Sequence, residues 1–163
     1  MKELTIVVGL PYSKIITYVT ENFSNGQIIS KYGIRKAMPY TKIDQNDSVL
    51  YLITEVMVRS SMTIGRPICV AEDALDIETI LIWKKIAIEH DYKIKVLIYD
   101  LPVEECYYNQ DDQKKEMLSH FLKINKKFDE LKEILQMKHQ KIVDDVEVVK
   151  PSMEDKQDEV LQC

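Results

Sequence analysis

The sequence predicts an α/β fold with a mostly parallel sheet and helices on both of its faces. Continuous apolar runs without polar alternation, the pattern of strands buried on both faces, occur at residues 4–8, 67–70 and 96–99. Segments whose apolar residues recur at helical spacing separate these runs. Strands and helices that alternate in this way imply right-handed crossovers, and ligands in such folds bind beyond the carboxyl ends of the strands.

The chain opens with a strand, a turn and a helix. The apolar run at residues 4–8 ends at Gly9 and Pro11, which both interrupt strands. Ser13 is in position to cap the helix that follows. That helix is predicted from four apolar residues at helical spacing, Ile15, Ile16, Val19 and Phe23.

The middle of the chain is predicted to contain a short strand, a loop and two helices around the strand at 67–70. A turn at residues 25–26 precedes a short apolar pair at 28–29, and residues 31–46 mix glycine, proline and charges without a clear period, which predicts a loop. Residues 47–48 can cap a helix that ends at Gly65. Asp76 can cap another helix over residues 77–90, ahead of the strand at 96–99.

Residues 113–140 predict one long helix. Six large apolar residues step by four and three, like heptad core positions, among many lysines and glutamates: Met117, Phe121, Ile124, Phe128, Leu131 and Leu135. This stripe predicts either a helix docked on its own sheet or the interface of a homodimer or other partner. Residues 143–149 can add a last strand. The domain is therefore predicted to span residues 1–149, and the acidic segment 150–163 is predicted to be a disordered tail.

The bulk composition limits the class of protein. A chain of 163 residues with 45% hydrophobic residues fits one globular domain, and no apolar run approaches the roughly 18 residues that span a bilayer. We therefore expect no membrane contact. Three cysteines without CxxC spacing or a histidine cluster support neither a disulfide framework nor a metal site, and we expect a cytoplasmic protein.

The charge distribution bears on nucleic-acid binding. A net charge of −5 argues against strong sequence-independent binding to nucleic acid, because that affinity comes from an excess of Lys and Arg. One basic cluster remains as a candidate polyanion contact or as a solvated loop: Lys31, Arg35, Lys36 and Lys42. Lysines and arginines are sparse around the adjacent Tyr107 and Tyr108, so these tyrosines predict packing or protein contact rather than base stacking.

The turn after the first strand carries a family resemblance. Residues 9–17 read GLPYSKIIT and resemble the GxPGSGKST phosphate-binding loop of polynucleotide kinases and their relatives. Residues 70–76, VAEDALD, are similar to the VDDTNLN of those kinases, and residues 99–106, YDLPVEEC, to their FDxPxEEC. The resemblance holds at spaced points over roughly the first 110 residues. It implies a P-loop kinase fold with a nucleotide site at Gly9, Pro11, Ser13, Lys14 and Thr17.

The residues expected to bind phosphate or to take part in catalysis depart from this pattern more than the residues that shape the turn. Tyr12 and Lys14 replace the second and third glycines of the loop, Ile15 replaces its lysine, and Ile16 replaces the serine that would ligate magnesium. Residues 30–35, SKYGIR, lack the general base of the family's NRDDxR. Residues 108–112, YNQDD, bring negative charge where the family has RNxxR.

The resemblance and its departures together predict a catalytically inactive protein that acts by binding a macromolecular partner. A protein partner is the leading expectation and nucleic acid the second, and kinship with kinases common in phages implies a phage-encoded regulator or inhibitor of host machinery. No catalytic residue is assigned, and no cofactor is expected beyond weak ATP and magnesium binding. Two alternatives stay open: a divergent nucleotide or polynucleotide 5′-kinase that uses Lys14, with Glu72 or Asp73 holding a metal, and a non-catalytic sensor of nucleotides or nucleic-acid ends.

Overall fold

The computed structural model describes residues 1–38, 48–73, 76–110, 117–137 and 141–151. Within these ranges the chain forms strands and helices in alternation. In chain order they are β1 (Glu3–Gly9), α1 (Ile15–Asn22), β2 (Gln27–Ser30), α2 (Lys31–Ala37), α3 (Ser48–Ile64), β3 (Ile68–Asp73), α4 (Ile77–Glu89), β4 (Lys93–Tyr99), α5 (Val103–Tyr108), α6 (Leu118–Gln136) and β5 (Asp145–Val149).

The five strands form one sheet in the order β2-β3-β1-β4-β5, and every neighbouring pair is parallel. The prediction of a parallel α/β sheet is therefore confirmed. Strand β1 lies at the centre between β3 and β4, so residues 4–8 are all buried. Burial on both faces explains why this strand reads as a continuous apolar run rather than an alternating one.

Helices cover the sheet from two sides. The connection from β1 to β2 runs along the sheet in the opposite direction to the connections β2–β3, β3–β4 and β4–β5. Because such crossovers are right-handed, α1 lies on one face and α3, α4 and α6 lie on the other. The ring of Tyr18 on α1 is 4.9 Å from that of Tyr99 on β4, and Arg59 on α3 pairs with Glu89 on α4 at 2.7 Å.

The predicted loop at 31–46 is wrong over its first part, because residues 31–37 form α2. The side chain of Ser30 caps this helix by accepting a hydrogen bond from the amide of Gly33 at 3.0 Å. Only Ile34 of α2 is buried, so the helix has no apolar period that sequence reasoning could detect. The rest of the predicted loop, from residue 39 onward, lies outside the described residues.

The two predicted helix caps that the structure describes have different outcomes. Asp76 caps α4, and its Oδ1 accepts a hydrogen bond from the amide of Thr79 at 2.8 Å, as predicted. Ser13 does not cap α1, because the N-cap is Lys14, whose side chain makes no capping hydrogen bond. Ser13 is buried inside the preceding turn instead.

Helix α6 is shorter than the predicted helix at 113–140, and the predicted length is not confirmed. Met117 is its exposed N-cap, and residues 113–116 and 138–140 lie outside the described part of the chain. Phe121, Phe128, Leu131 and Leu135 are buried in the core, and Ile124 is half-buried against it. Because these side chains are buried within the domain, the stripe is not available as a coiled-coil interface.

The predicted domain boundary at residue 149 stays a prediction. Strand β5 ends at Val149, and the segment predicted as a tail lies outside the described residues beyond Pro151. A search of the described helices for one that is long and apolar enough to cross a bilayer finds none.

We expect Phe121→Ala to lower the free energy of unfolding by about 3–5 kcal/mol, because the ring is fully buried and its removal leaves a cavity. Urea denaturation followed by circular dichroism measures this loss. Leu122→Ala is the matched control, since the next residue of the same helix is 51% exposed and should lose less than about 1 kcal/mol. Equal losses in the two variants would contradict the packing described for α6.

Candidate phosphate-binding loop and its surroundings

The turn that resembles a phosphate-binding loop lies at the carboxyl edge of the sheet. Residues 10–14 connect the end of the central strand β1 to the first turn of α1. The register places Val8 beside Glu72 at the end of β3 and Gly9 beside Tyr99 at the end of β4. This is the edge at which ligands bind in parallel α/β folds.

The backbone of the turn is left-handed at two residues that carry side chains. Tyr12 has φ 61° and Lys14 has φ 62°, and these are the positions where the kinase loop has glycine. A non-glycine residue in this conformation costs about 1–2 kcal/mol, because Cβ crowds the carbonyl oxygen. The turn therefore has a conformation that suits glycine at two positions, although neither residue is glycine.

Gly9 is required by packing. A Cβ at this position would lie 2.8 Å from Cγ2 of Ile15 and 2.8 Å from Oγ of Ser13, both closer than real contacts allow. Ile15 is only 3% exposed and belongs to the core. The position that carries the phosphate-binding lysine in the kinase loop is thus filled by an apolar side chain packed beneath the turn.

Ser13 is a buried polar group inside the turn. Its amide donates a hydrogen bond to the carbonyl oxygen of Leu10 at 3.1 Å, which closes the turn. Its hydroxyl oxygen has no hydrogen-bond partner among the described residues. A buried hydroxyl in this state costs about 1–3 kcal/mol, which adds to the cost of the left-handed residues.

Helices α5 and α6 hold the turn in place. The ring of Tyr12 stacks on that of Phe121 with centroids 6.0 Å apart, and the ring of Tyr107 meets Phe121 edge-on, also at 6.0 Å. The side-chain amide of Asn109 donates a hydrogen bond to the carbonyl oxygen of Tyr12 at 3.1 Å. Each aromatic pair contributes about 0.5–1.5 kcal/mol beyond its buried area, which offsets part of the strain in the turn.

The acidic side chain at the end of β3 is paired with a lysine. Glu72 is 5% exposed, and its Oε2 lies 3.4 Å from Nζ of Lys31 at the start of α2. Lys31 is therefore directed at its own chain, which makes it a poor contact for an external polyanion. Of the other residues in the predicted basic cluster, Arg35 is half-buried, Lys36 is exposed, and Lys42 lies outside the described residues.

The acidic side chain at the end of β4 is paired in the same way. Oδ1 of Asp100 lies 2.9 Å from Nζ of Lys132 on α6, and Lys132 also contacts Asp129 at 2.9 Å. Burial lowers the pKa of Lys132, but hydrogen bonds to the two carboxylates outweigh burial, so its pKa is raised overall. The ammonium also lies 4.9 Å from the ring centroid of Phe128.

The described residues do not gather metal ligands or a reactive thiol. No group of three histidine, cysteine, aspartate or glutamate side chains within the described ranges could hold a metal ion. Burial raises the pKa of the Cys69 thiol to about 12, so the thiol stays protonated and is a poor nucleophile. The candidate metal role of Glu72 is opposed by its pairing with Lys31, and the side chain of Asp73 is outside what the structure describes.

The structure brings the predicted loop residues together. Gly9, Pro11, Ser13 and Lys14 form one turn, and Thr17 follows in the first turn of α1. Lys14 and Thr17 are exposed, whereas Gly9 and Ser13 are buried. The lysine pairs with Glu72 and Asp100 were not predicted, because the partners are distant in the sequence and no local spacing signals them.

No protein-family model matches the chain, and no curated protein sequence matches it. Solved structures do match in fold. A structure from the PezAT chromosomal toxin–antitoxin system of Streptococcus pneumoniae is 14% identical with a TM-score of 0.59, over 91% of this chain and 68% of that one.

Two kinases match in the same way. Shikimate kinase from Aquifex aeolicus is 11% identical with a TM-score of 0.55, over 97% of this chain and 94% of the kinase. A gluconokinase from Sinorhizobium meliloti is 12% identical with a TM-score of 0.51, over 91% and 82% of the two chains. At these identities the likeness concerns the fold alone, and the chain has a P-loop kinase-like fold.

The pair between Lys31 and Glu72 gives a stability prediction. Lys31→Met should lower the free energy of unfolding by about 1–3 kcal/mol, because it removes the described cation beside a buried carboxylate. The double variant Lys31→Met/Glu72→Gln should recover part of this loss, since the buried charge is gone. Chemical denaturation of the two variants measures the difference.

Lys36→Met is the matched control for this prediction. Lys36 lies on the same helix and is exposed, so its replacement should change stability by no more than about 0.5 kcal/mol. A Lys31→Met variant as stable as the control would show that the pair contributes nothing.

Proposed function

We propose that this protein is a non-catalytic member of the P-loop kinase-like fold and acts by binding a macromolecular partner. The observation that carries the proposal is the burial of Ile15 against Gly9, at the position of the phosphate-binding lysine. A side chain of the hydrophobic core therefore occupies the position from which that cation would act. The resemblance to polynucleotide kinases then reflects fold and framework rather than activity.

The electrostatics at the carboxyl edge support the absence of phosphoryl transfer. That reaction depends on positioning and on cations that stabilise charge on the transferred group, and one such cation, the arginine finger, is worth about 10³–10⁵ in rate. Here the loop lysine and the magnesium-binding serine are replaced by Ile15 and Ile16. The carboxylates of Glu72 and Asp100 are each engaged by a lysine, which opposes their use as metal ligands or as a base.

A second candidate function is a nucleotide sensor without chemistry. Its support is the left-handed conformation of Tyr12 and Lys14, which preserves the shape of a phosphate-binding turn despite its cost. Lys14 is exposed beside the amides of α1, where a cation could meet a phosphate. Calorimetric titration with ATP and magnesium tests this candidate, and binding that Lys14→Ala abolishes would favour it.

The partner contact is proposed at the mouth of the former cleft. We define the mouth surface as Tyr12, Tyr108, Met117 and Leu118, which are all exposed and lie around the buried ring of Phe121 or on the adjoining ends of α5 and α6. Tyr108 is 77% exposed. Tyrosine and methionine are enriched at protein interfaces relative to the rest of the protein surface. The resemblance to kinases common in phages suggests that the partner is a protein of the host machinery.

We expect no transfer of the γ-phosphate of ATP to a 5′-hydroxyl oligonucleotide. Radiolabelled transfer assays with magnesium measure it, and a mock purification controls for contaminating kinases. Turnover by the purified wild-type protein that disappears in Lys14→Ala would overturn the non-catalytic assignment.

Restoring the motif lysine should not create activity. Ile15→Lys places an ammonium where the side chain is buried, so it should cost at least about 2 kcal/mol of stability without adding turnover. Ile16→Lys is the control, because Ile16 is only half-buried and the loss should be smaller. Activity gained by Ile15→Lys would show that the rest of the catalytic machinery is intact.

Partner binding is tested at the mouth surface. Tagged wild-type protein and a Tyr108→Ser/Leu118→Ser variant are compared in pull-downs from host lysate, with Leu122→Ser as a control on the outward side of α6. A protein retained by wild type and by the control, and lost from the double variant, is the expected result. A partner captured equally by all three would place the contact elsewhere.

A further inference from the structure

The connection between α1 and β2 holds an asparagine that is followed directly by glycine. Residues 24–26 read Ser-Asn-Gly, and all three are exposed. Of the five asparagines in the chain, Asn25 is the one with glycine after it. The structure places this pair in the turn between the end of α1 and the start of β2, at a distance in the chain from every residue of the phosphate-binding turn.

The backbone hydrogen bonds stop before this pair and resume after it. The amide of Phe23 donates to the carbonyl oxygen of Val19 at 2.8 Å, and the amide of Gln27 donates to that of Pro67 at 3.0 Å. Within the described part of the chain, the amides of residues 24–26 donate no hydrogen bond. An amide in this state needs no local unfolding before it can lose its proton to solvent.

The side chain of Asn25 is also without a hydrogen bond to the described residues. Three other asparagines each donate their side-chain amide to a carbonyl or carboxylate oxygen, at 2.8, 3.1 and 3.3 Å: Asn22, Asn109 and Asn125. The fifth, Asn46, lies outside the described ranges. Asn25 therefore differs from the three bonded asparagines both in the residue that follows it and in the freedom of its side chain to rotate.

Gly26 is required by packing and not by its backbone conformation. A Cβ at this position would lie 2.3 Å from the carbonyl oxygen of Pro67 and 2.8 Å from Cε1 of Phe23. The left-handed φ among the described glycines belongs to Gly65. Because any larger residue would clash with Pro67, the residue after Asn25 has no side chain to shield its amide nitrogen.

We propose that Asn25 is a site of spontaneous deamidation in the folded protein, with water as the co-reactant. The proposal goes beyond the proposed function and does not depend on it. The deprotonated amide nitrogen of Gly26 attacks Cγ of Asn25 and forms a new N–C bond. The bond from Cγ to Nδ2 then breaks, and ammonia leaves with the proton that the backbone amide has lost. The product is a five-membered succinimide ring.

Water opens this ring at either of its two carbonyl carbons. Cleavage of the bond between the nitrogen and Cγ restores the ordinary main chain with aspartate at position 25. Cleavage of the other carbon–nitrogen bond gives isoaspartate, in which the main chain runs through Cβ and Cγ. In both cases one water is consumed, one ammonia is released, and a carboxylate is added to a chain of net charge −5.

The isoaspartate form alters the packing at the start of β2. It inserts one additional carbon into the main chain immediately before Gly26. The backbone of Gly26 already lies against Pro67, so the space that would be needed on that side is occupied. We expect the added carbon to displace Gly26 and to weaken the hydrogen bond from Gln27 to Pro67, which precedes the pairing of β2 with β3.

Mass spectrometry of the full-length protein after incubation at neutral pH tests the site. Trypsin releases residues 15–31 as one peptide, so Asn22 is an internal control beside Asn25. Conversion at Asn25 should be several-fold faster than at Asn22, and it should approach the rate for the same residue in urea-unfolded protein. Asn25→Gln should abolish the conversion, because the corresponding ring is larger and closes more slowly. Asn25 that stays intact in the folded chain while it converts in urea, or equal conversion at Asn22, would overturn the proposal.

Urea denaturation of the separated products supplies a second readout. The isoaspartate form should unfold at a lower urea concentration than the Asn25→Asp variant, which carries the same charge without the added carbon. Asn25→Asp itself should unfold close to wild type, since the side chain is exposed. Equal midpoints for the isoaspartate form and Asn25→Asp would contradict the packing effect assigned to Gly26.

Discussion

The packing of Ile15 against Gly9 is the constraint on which the carboxyl edge of this sheet depends. Gly9 ends the central strand, and the space that its missing Cβ leaves is taken by Cγ2 of Ile15 and Oγ of Ser13. Since Ile15 starts α1, this contact fixes the angle at which the helix leaves the sheet. The turn between them must then bend within five residues, which accounts for its left-handed positions at Tyr12 and Lys14.

That strain has a cost which the surrounding structure offsets. Two left-handed residues and a buried hydroxyl without a partner among the described residues oppose folding. The contact of Tyr12 with Phe121 and the hydrogen bond from Asn109 stabilise the turn. The Tyr12 side chain therefore helps to hold its own backbone in the left-handed conformation that suits glycine. These contacts couple the turn to α5 and α6, so a substitution in α6 should also affect the turn at the end of β1.

The sequence predicts the parts of the fold that depend on burial and misses those that depend on distant pairs. Strand β1 and helix α4 follow from their apolar patterns and from the cap at Asp76. Helix α2 is missed because it buries only Ile34, and a cap by Ser30 leaves no periodic signal. In the site, the loss of the motif lysine is visible in the sequence, but the engagement of Glu72 by Lys31 is visible only in space.

The contrast between α6 and α3 shows how far an apolar stripe can be interpreted without a structure. The stripe of α6 looks like an interface because it is long and regular, yet Phe121, Phe128 and Leu131 are buried in the core and leave a charged outward side. Helix α3 exposes Leu52 and Val56, and its two charged residues pair with each other, with Arg59 also contacting Glu89 of α4. A stripe of large apolar residues therefore indicates that one side of the helix is buried. For a helix that connects two strands of one sheet, burial within the domain is a simpler explanation of the stripe than an interface between chains.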